Sequence, residues 1–249
     1  DVDALDRSLL SLDLFTADEL LNSGNSFVGY YGYDYKGNKS TDNVSFDDFW
    51  TAKDANGNYT RPIGSFNPIY MAGYIQDRFA INDLIFNVGV RVDYFDANQK
   101  VLKDKYLLYP AKTAGEVSPD RPSNIGENYI VYVDDVNDPG NANIVGYRDG
   151  DTWYDANGAQ VSNPGILELQ AGGNIAPYLV NPALATNGVQ KDIFKPSDSF
   201  TDYNPAVTVM PRVAFSFPIS DEALFFAHYD VLTQRPPSRS RSNPLDYYF

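Results

Sequence analysis

Few side chains in this sequence could do covalent chemistry. His228 is the only imidazole and there is no cysteine, which removes thiolate nucleophiles, thiolate metal sites and disulfide frameworks together. Asp230 follows His228 at the strand repeat, so the two could share a face and mimic two members of a catalytic triad. No Gly-x-Ser-x-Gly elbow accompanies them. The expectation is a polar pair on a strand and no enzyme.

Carboxylates are the abundant chemistry. There are 33 acidic residues against 19 basic ones, a formal charge of −14, and such a balance argues against a nucleic-acid partner, whose phosphates need clustered Lys and Arg. Hard oxygen donors suit calcium. Asp149, Asp151 and Asp155 crowd one turn-rich stretch as a candidate calcium site, with Asp134, Asp135 and Asp138 as a second. Neither has EF-hand spacing, and Asp with Gly and Asn is also ordinary turn material. Trp153 and Tyr154 are candidate ligand-binding residues that could stack on a sugar, peptide or chelate. Tyr30, Tyr31, Tyr33 and Tyr35 offer rings too, but with Gly29 and Gly32 they read better as a strand rising into an aromatic belt. Arg235, Arg239 and Arg241 flank Pro236-Pro237 as a short basic loop.

The elements that would position these residues are strands. Four segments alternate apolar and polar: Tyr70 to Phe79, Leu84 to Phe95, Val207 to Phe217 and Ala223 to Leu232. Phe86, Val88, Val90, Val92 and Tyr94 point one way, and Asn87, Gly89, Arg91 and Asp93 the other. Asn82-Asp83 joins the first two segments and Pro218 to Glu222 the last two, giving hairpins over 70–95 and 207–232. Pro211 cannot donate to a ladder, so a bulge, or pairing that begins at Arg212, is expected there. Asp77 shares the parity of Ile75 and Phe79. Between the hairpins, Asp96 to Asn204 shows turn signals and little periodicity; a stretch of that length must be functional or folded on itself. Near the N-terminus, Thr16 with Glu19 and Ser45 with Asp48 read as capping boxes of two short helices. Asp34 to Asn38, Asp54 to Asn58 and Tyr154 to Gly158 read as related turns.

No run of about 18 apolar residues occurs, so no transmembrane helix is expected. A strand-spanning protein remains open, and three features favour it. The segments are about 10 to 12 residues long, which suits a tilted bilayer crossing better than the usual strand. Their ends are aromatic. Their short turns fall on one side and the long segments on the other, as in outer-membrane barrels.

Ala72-Gly73-Tyr74-Ile75-Gln76-Asp77-Arg78-Phe79, with Asn87-Val88-Gly89-Val90-Arg91-Val92-Asp93, resembles the YxQD and GxRxD hairpin of TonB-dependent outer-membrane receptors. Pro211 to Phe217 followed by Phe225-Phe226-Ala227-His228-Tyr229 resembles the next hairpin of that family. The long Tyr- and Asp-rich segments look most like its large-loop, Oar-like branch. The resemblance implies an antiparallel transmembrane β-barrel, 22-stranded with a plugged lumen in the intact family, of which this sequence would be an internal piece without the plug. It implies lumen-lining roles for Asn87, Arg91, Asp93, Arg212 and His228, and external segments 1–66, 96–204 and 233–249 bearing short helices. It further implies a Gram-negative outer-membrane location with extracellular loops, contact with lipid, TonB and a surface lipoprotein, and nutrient import. Two other classes fit parts of the sequence: a secreted all-β binding module, calcium-dependent and carbohydrate-directed, and an outer-membrane adhesion or assembly protein without transport.

Overall fold

The computed structural model describes residues 11–21, 31–40, 43–135, 137–138, 141–185, 193–234 and 242–248. Tyr30, Arg235, Arg239 and Arg241 lie outside them. Along the chain a 3-10 turn, Leu12–Leu14, precedes helices α1 (Ala17–Leu21) and α2 (Asp48–Thr51), then strands β1 (Ile69–Ile81), β2 (Leu84–Asp96) and β3 (Lys100–Leu102). Helix α3 (Ala114–Val117) leads to β4 (Ile130–Val133), β5 (Ile144–Asp149), β6 (Thr152–Asp155) and β7 (Gln160–Val161). After α4 (Gly165–Gln170) come β8 (Ala176–Pro177), α5 (Pro196–Ser199), β9 (Phe200–Asp202), β10 (Ala206–Ser220), β11 (Ala223–Asp230) and α6 (Leu245–Tyr248). The chain is mostly β and its sheets are antiparallel. Among the described residues no helix is long and apolar enough to cross a membrane.

The chain divides into two compact units, one of Asp1–Leu20, Ser26–Val101 and Asp202–Asn243, the other of Leu21–Asn25, Leu102–Thr201 and Pro244–Phe249. The first is built on a four-stranded sheet in the order β1-β2-β10-β11. Its ladders are long and regular, from Ile69 opposite Asp96 to Ile81 opposite Leu84, and from Ala206 opposite Phe95 to Ser216 opposite Ile85. Because directly paired residues share a face, the register sorts the sheet in two. One face carries Ile75, Phe79, Phe86, Val88, Val90, Val92, Val209, Val213, Phe215 and Phe225, with Asp77 among them opposite Val88. Its turn end holds a chain of rings: Phe79 stacks on Phe86 at 5.2 Å, and Phe215, Phe225 and Phe217 continue it at 5.2 to 6.3 Å. Such ring pairs add about 0.5–1.5 kcal/mol each beyond the area they bury. No described segment covers this face, and Ile75, Val88, Val92, Val209 and Val213 are exposed.

The second hairpin differs from its expected limits. β10 runs on to Ser220, with a register shift between Pro218 and Ser220, so the turn shrinks to Asp221 and Glu222. β11 ends at Asp230, and its pairing with β10 begins at Arg212. Pro211 is the cause. It has no N–H to offer, and only its carbonyl, accepting from Val231 N at 3.1 Å, carries the contact one residue further.

Elsewhere in this unit the two expected capping boxes form. Glu19 accepts from Thr16 N at 2.7 Å while Thr16 Oγ1 accepts from Glu19 N at 3.3 Å, and Asp48 and Ser45 do the same at 2.7 and 3.3 Å. Buried Arg61 joins the two helices, donating from Nε to Asp18 of α1 at 2.7 Å and from Nη1 to the Phe49 carbonyl of α2 at 2.9 Å. The expected tyrosine strand does not form over its described part. Tyr33 bridges to Lys39 and closes a tight loop over Asp34, whose carboxylate takes the N–H groups of Lys36 and Asn38 and so turns the chain back.

The second unit has its own core on both faces of a five-stranded sheet ordered β7-β6-β5-β4-β8. Val131, Val133, Tyr147, Ala114 and Ile125 fill one cluster, and Leu107, Tyr132, Trp153 and Leu167 the other. Gly146 of β5 is the close-approach point: a Cβ there would meet the Tyr154 carbonyl at 2.4 Å and Leu167 of α4 at 2.9 Å. Helix α3 is capped by Thr113 with Glu116, a third box of the same kind. Strands β3 and β9 pair as a two-stranded ribbon.

Candidate functional site

The polar face of the four-stranded sheet gathers charge from all four strands. On β2, Arg91 and Asp93 lie two residues apart and so point the same way. Arg91 donates from Nε to Asp93 Oδ1 at 2.6 Å and from Nη2 to the Tyr70 hydroxyl at 2.7 Å, and that hydroxyl donates to Asp93 Oδ2 at 2.5 Å. The three groups close a ring of charge-assisted bonds, the stronger kind. On the neighbouring strands Arg212 and Asp230 stand opposite each other and pair at 2.9 Å. Asn87 faces Ala214, which in turn faces His228, so the five residues Asn87, Arg91, Asp93, Arg212 and His228 share this face.

Between the two arginines sits Gly89, paired with Gln76 on one side and Arg212 on the other. A Cβ at Gly89 would come within 3.3 Å of the Gln76 side chain. The missing side chain leaves room, and an open cavity of about 250 Å³ lies among Tyr74, Gln76, Arg91, Arg212, Asp230 and Leu232. Arg91 and Arg212 each already hold a carboxylate, while Arg78, opposite Asn87, adds a further positive charge to the same face. His228 is not aimed at Asp230. Its ring lies parallel to that of Phe226 at 6.3 Å, while Asp230 serves Arg212.

The carboxylates and rings of the second unit that the sequence offers as calcium and stacking candidates are engaged with other protein groups. Among the described residues no group of three His, Cys, Asp or Glu converges as metal ligands. Asp151 is paired with Lys105 and accepts from the Tyr106 hydroxyl at 3.1 Å; Asp155 accepts the N–H groups of Asn157 and Ala159 at 2.9 Å; Asp149 ends β5. Asp151 is thus held by a distant segment and Asp155 by its own turn, and the three carboxylates do not converge on a common point. Asp134 and Asp138 are likewise engaged by Asn143 and Asn141, and Asp135 caps Asn137 N and Asp138 N. Trp153 is only 8% exposed, packed at 4.9 Å on Tyr132, and cannot offer its ring to a ligand. Tyr154 is half-buried and stacks on Tyr129 at 5.4 Å.

Sequence reasoning missed Arg148, which is 3% exposed. Its Nε donates to the Tyr132 hydroxyl at 3.1 Å, its Nη1 to the Gly150 carbonyl at 2.9 Å, and its Nη2 to Asp104, with the rings of Tyr106 and Trp153 beside it. A hint existed, since Arg121 and Arg148 are the only arginines between Leu102 and Thr201. Compared with protein-family models, with curated proteins and with solved structures, the chain finds no match in any of the three. The functional reading therefore rests on geometry.

Proposed function

We propose that the four-stranded sheet is a section of the wall of a transmembrane β-barrel, from a TonB-dependent outer-membrane receptor that captures a nutrient at its external loops and imports it. The observation that supports this is the uncovered apolar face carried by strands of this length. A strand of 13 residues such as β1 or β2 extends about 43 Å, and at a tilt of about 40° it rises about 33 Å, enough for the hydrocarbon core. In water the same face would be an apolar patch well beyond what monomeric soluble proteins expose. In lipid it needs no cover, and the ring chain from Phe79 to Phe217 falls where an aromatic girdle belongs.

In this reading the face of Arg91, Asp93, Arg212 and His228 lines the lumen, the turns at Asn82 and Asp221 are periplasmic, and segments 1–66, 96–204 and 233–249 lie outside the cell. Asp77 sits one row inside the Phe79–Phe86 pair, on the edge strand β1.

The chain has no cysteine, so single-cysteine variants give clean spin-label positions. Labels at Val88, Val90, Val92 and Val209 in the protein held in its native membrane should relax faster with dissolved oxygen than with a water-soluble nickel chelate. Labels at Gly89, Asp93 and Thr208 should show the reverse. Nickel access at every position would defeat the proposal.

A further inference from the structure

We propose that a polar groove at the loop end of the sheet binds a neutral, hydroxyl-rich ligand, a short saccharide. The inference rests on the capture role proposed above and names its ligand class, but the groove can be tested without a membrane. It is built within the first unit, where β2 ends at Asp96. Asp96, residues 98–100 and residues 202–203 line it together with Ser40, residues 43–46, Gly64, Ser65 and Asn67, around a volume of about 490 Å³, within the usual range for small-molecule sites.

Its lining is chemically narrow. Asn43, Asn67 and Asn98 bring carboxamides, Ser40 and Ser65 bring hydroxyls, and Phe46 and Tyr203 bring rings. A carboxamide donates and accepts at once, which matches adjacent hydroxyls on a sugar ring, while an aromatic face accepts the ring's apolar C–H side. Charge argues against the other classes. The only cation in the lining, Lys100, is bound to Asp202 at 2.9 Å, and Asp96 adds a second carboxylate, so an anion is repelled. No metal-ligating cluster forms among the described residues.

The polar groups are also held in place before any ligand arrives. Asn98 is fixed in the left-handed region at φ 47°, its N–H donating to Asp96 Oδ1 at 2.8 Å and its Nδ2 to the Asn67 carbonyl at 3.0 Å. Asn67 Nδ2 in turn donates to Ser65 Oγ at 2.9 Å. Gly64 lets its segment pack tightly against that of Val44, since a Cβ there would lie 2.6 Å from the Val44 carbonyl. Tyr203 is braced edge-on by Phe95 at 6.0 Å, and its N–H donates to the Gln99 carbonyl at 2.9 Å. Asparagine tolerates this backbone conformation, the hydrogen bonds around Asn98 fix it, and such pre-organisation lowers the ordering cost of binding.

The test is calorimetric titration of the detergent-solubilised protein with maltotriose, cellotriose, laminaritriose and mannotriose, with a sulfated trisaccharide and inorganic phosphate as anionic probes. At least one neutral trisaccharide should bind, and Asn43→Ala and Asn98→Ala should each weaken it about tenfold, the loss of one good hydrogen bond. Gln170→Ala, in the second unit, should leave it unchanged. Asn43 makes no side-chain hydrogen bond among the described residues, so its variant keeps the test sound if Asn98→Ala fails to fold. No neutral trisaccharide binding at about 10 mM, binding indifferent to both asparagines, or preference for an anion lost in Lys100→Ala would each overturn the proposal. The spin-label experiment is read separately, so either reading can fall while the other stands.

Discussion

Arg148 and Arg61 are the side chains on which most depends within their units. Each is a buried guanidinium shared among a carboxylate, a carbonyl and aromatic rings, and removing such a cation strands its partners. Arg148→Ala should destabilise the second unit by about 3 kcal/mol, the low end for a broken buried pair because Asp104 is partly exposed. Arg148→Lys should recover only part, since a lysine cannot reach Tyr132, Gly150 and Asp104 together. Urea denaturation followed by near-ultraviolet dichroism of Trp153 checks both. Beyond the scarcity of arginine around Arg148, the role of neither was legible in the sequence, because what makes each important is a meeting with residues far along the chain, Asp104 and Tyr132 in one case and Asp18 in the other.

Titration is also a matter for single residues. The Asn143 side chain and backbone hold Asp134 low, Lys105 and Tyr106 hold Asp151 low, and Thr113 holds Glu116 low. Partial burial opposes the same shift at Asp34, yet the amide and N–H of Asn38 and the N–H of Lys36 prevail. A carboxyl whose folded value lies below its ordinary 3.8 or 4.5 contributes its stability above that ordinary value. The contribution is lost as pH falls through the folded value. The melting temperature of the loops should therefore be flat near neutrality and fall only below about pH 4. A decline beginning near pH 6 would show that these bonds are not what sets it.

At the scale of elements, one five-residue loop recurs three times. In Asp34 to Asn38, Asp54 to Asn58 and Asp155 to Ala159 the leading carboxylate accepts two N–H groups at 2.8 to 2.9 Å, and a glycine at φ 85° or 86° turns the chain. The sequence showed the kinship, although the third member is framed from Asp155 and not from Tyr154. The contexts differ in an instructive way. A Cβ at Gly37 or Gly57 meets nothing within 4 Å, whereas at Gly158 it would meet Asn124 at 2.5 Å and Pro122 at 2.8 Å. Gly57→Ala should cost about 1 kcal/mol, the backbone term alone. Gly158→Ala should cost clearly more, and thermal denaturation of the two variants side by side measures the difference.

The same scale explains what the sequence could announce. β1, β2, β10 and β11 were readable because one face stays apolar over many residues, a signal that two-residue strands such as β7 and β8 cannot give. β5 hid because Gly146 and Arg148 interrupt its alternation for packing reasons that only α4 and β4 supply. Trp153 was misjudged for a related cause. Beside Asp151 and Asp155 it looks like a surface ring, and nothing local reveals that Leu107, Tyr132 and Leu167 close over it. The groove around Asn98 was not legible at all, because it joins stretches near Asn43, Ser65, Asn98 and Tyr203 that are far apart in the chain.

For the whole molecule the two units should respond differently to their solvent. The second carries its own core, so amide exchange of β4, β5 and β6 should be slow in plain buffer. The four long strands should be equally slow only in detergent or lipid, where the face of Val88 and Val92 has a suitable environment. Mass-spectrometric exchange in both media decides it, and equal protection of β1 and β2 in plain buffer would contradict the membrane reading.

The ribbon of β3 with β9 bears on the order in which the molecule assembles. Strand β2 must find β10 across a very long stretch of chain, and closing a loop of about 100 residues is entropically costly. Once β3 and β9 are zipped, with Lys103 N on the Ser199 carbonyl and Tyr203 N on the Gln99 carbonyl, both at 2.9 Å, the loop left to close is roughly six residues. By the logarithmic law the saving is about 2–3 kcal/mol. The ribbon thus works as a staple for the long sheet, and Lys103→Pro, which removes the N–H that the Ser199 carbonyl accepts, should slow the joining of β2 with β10.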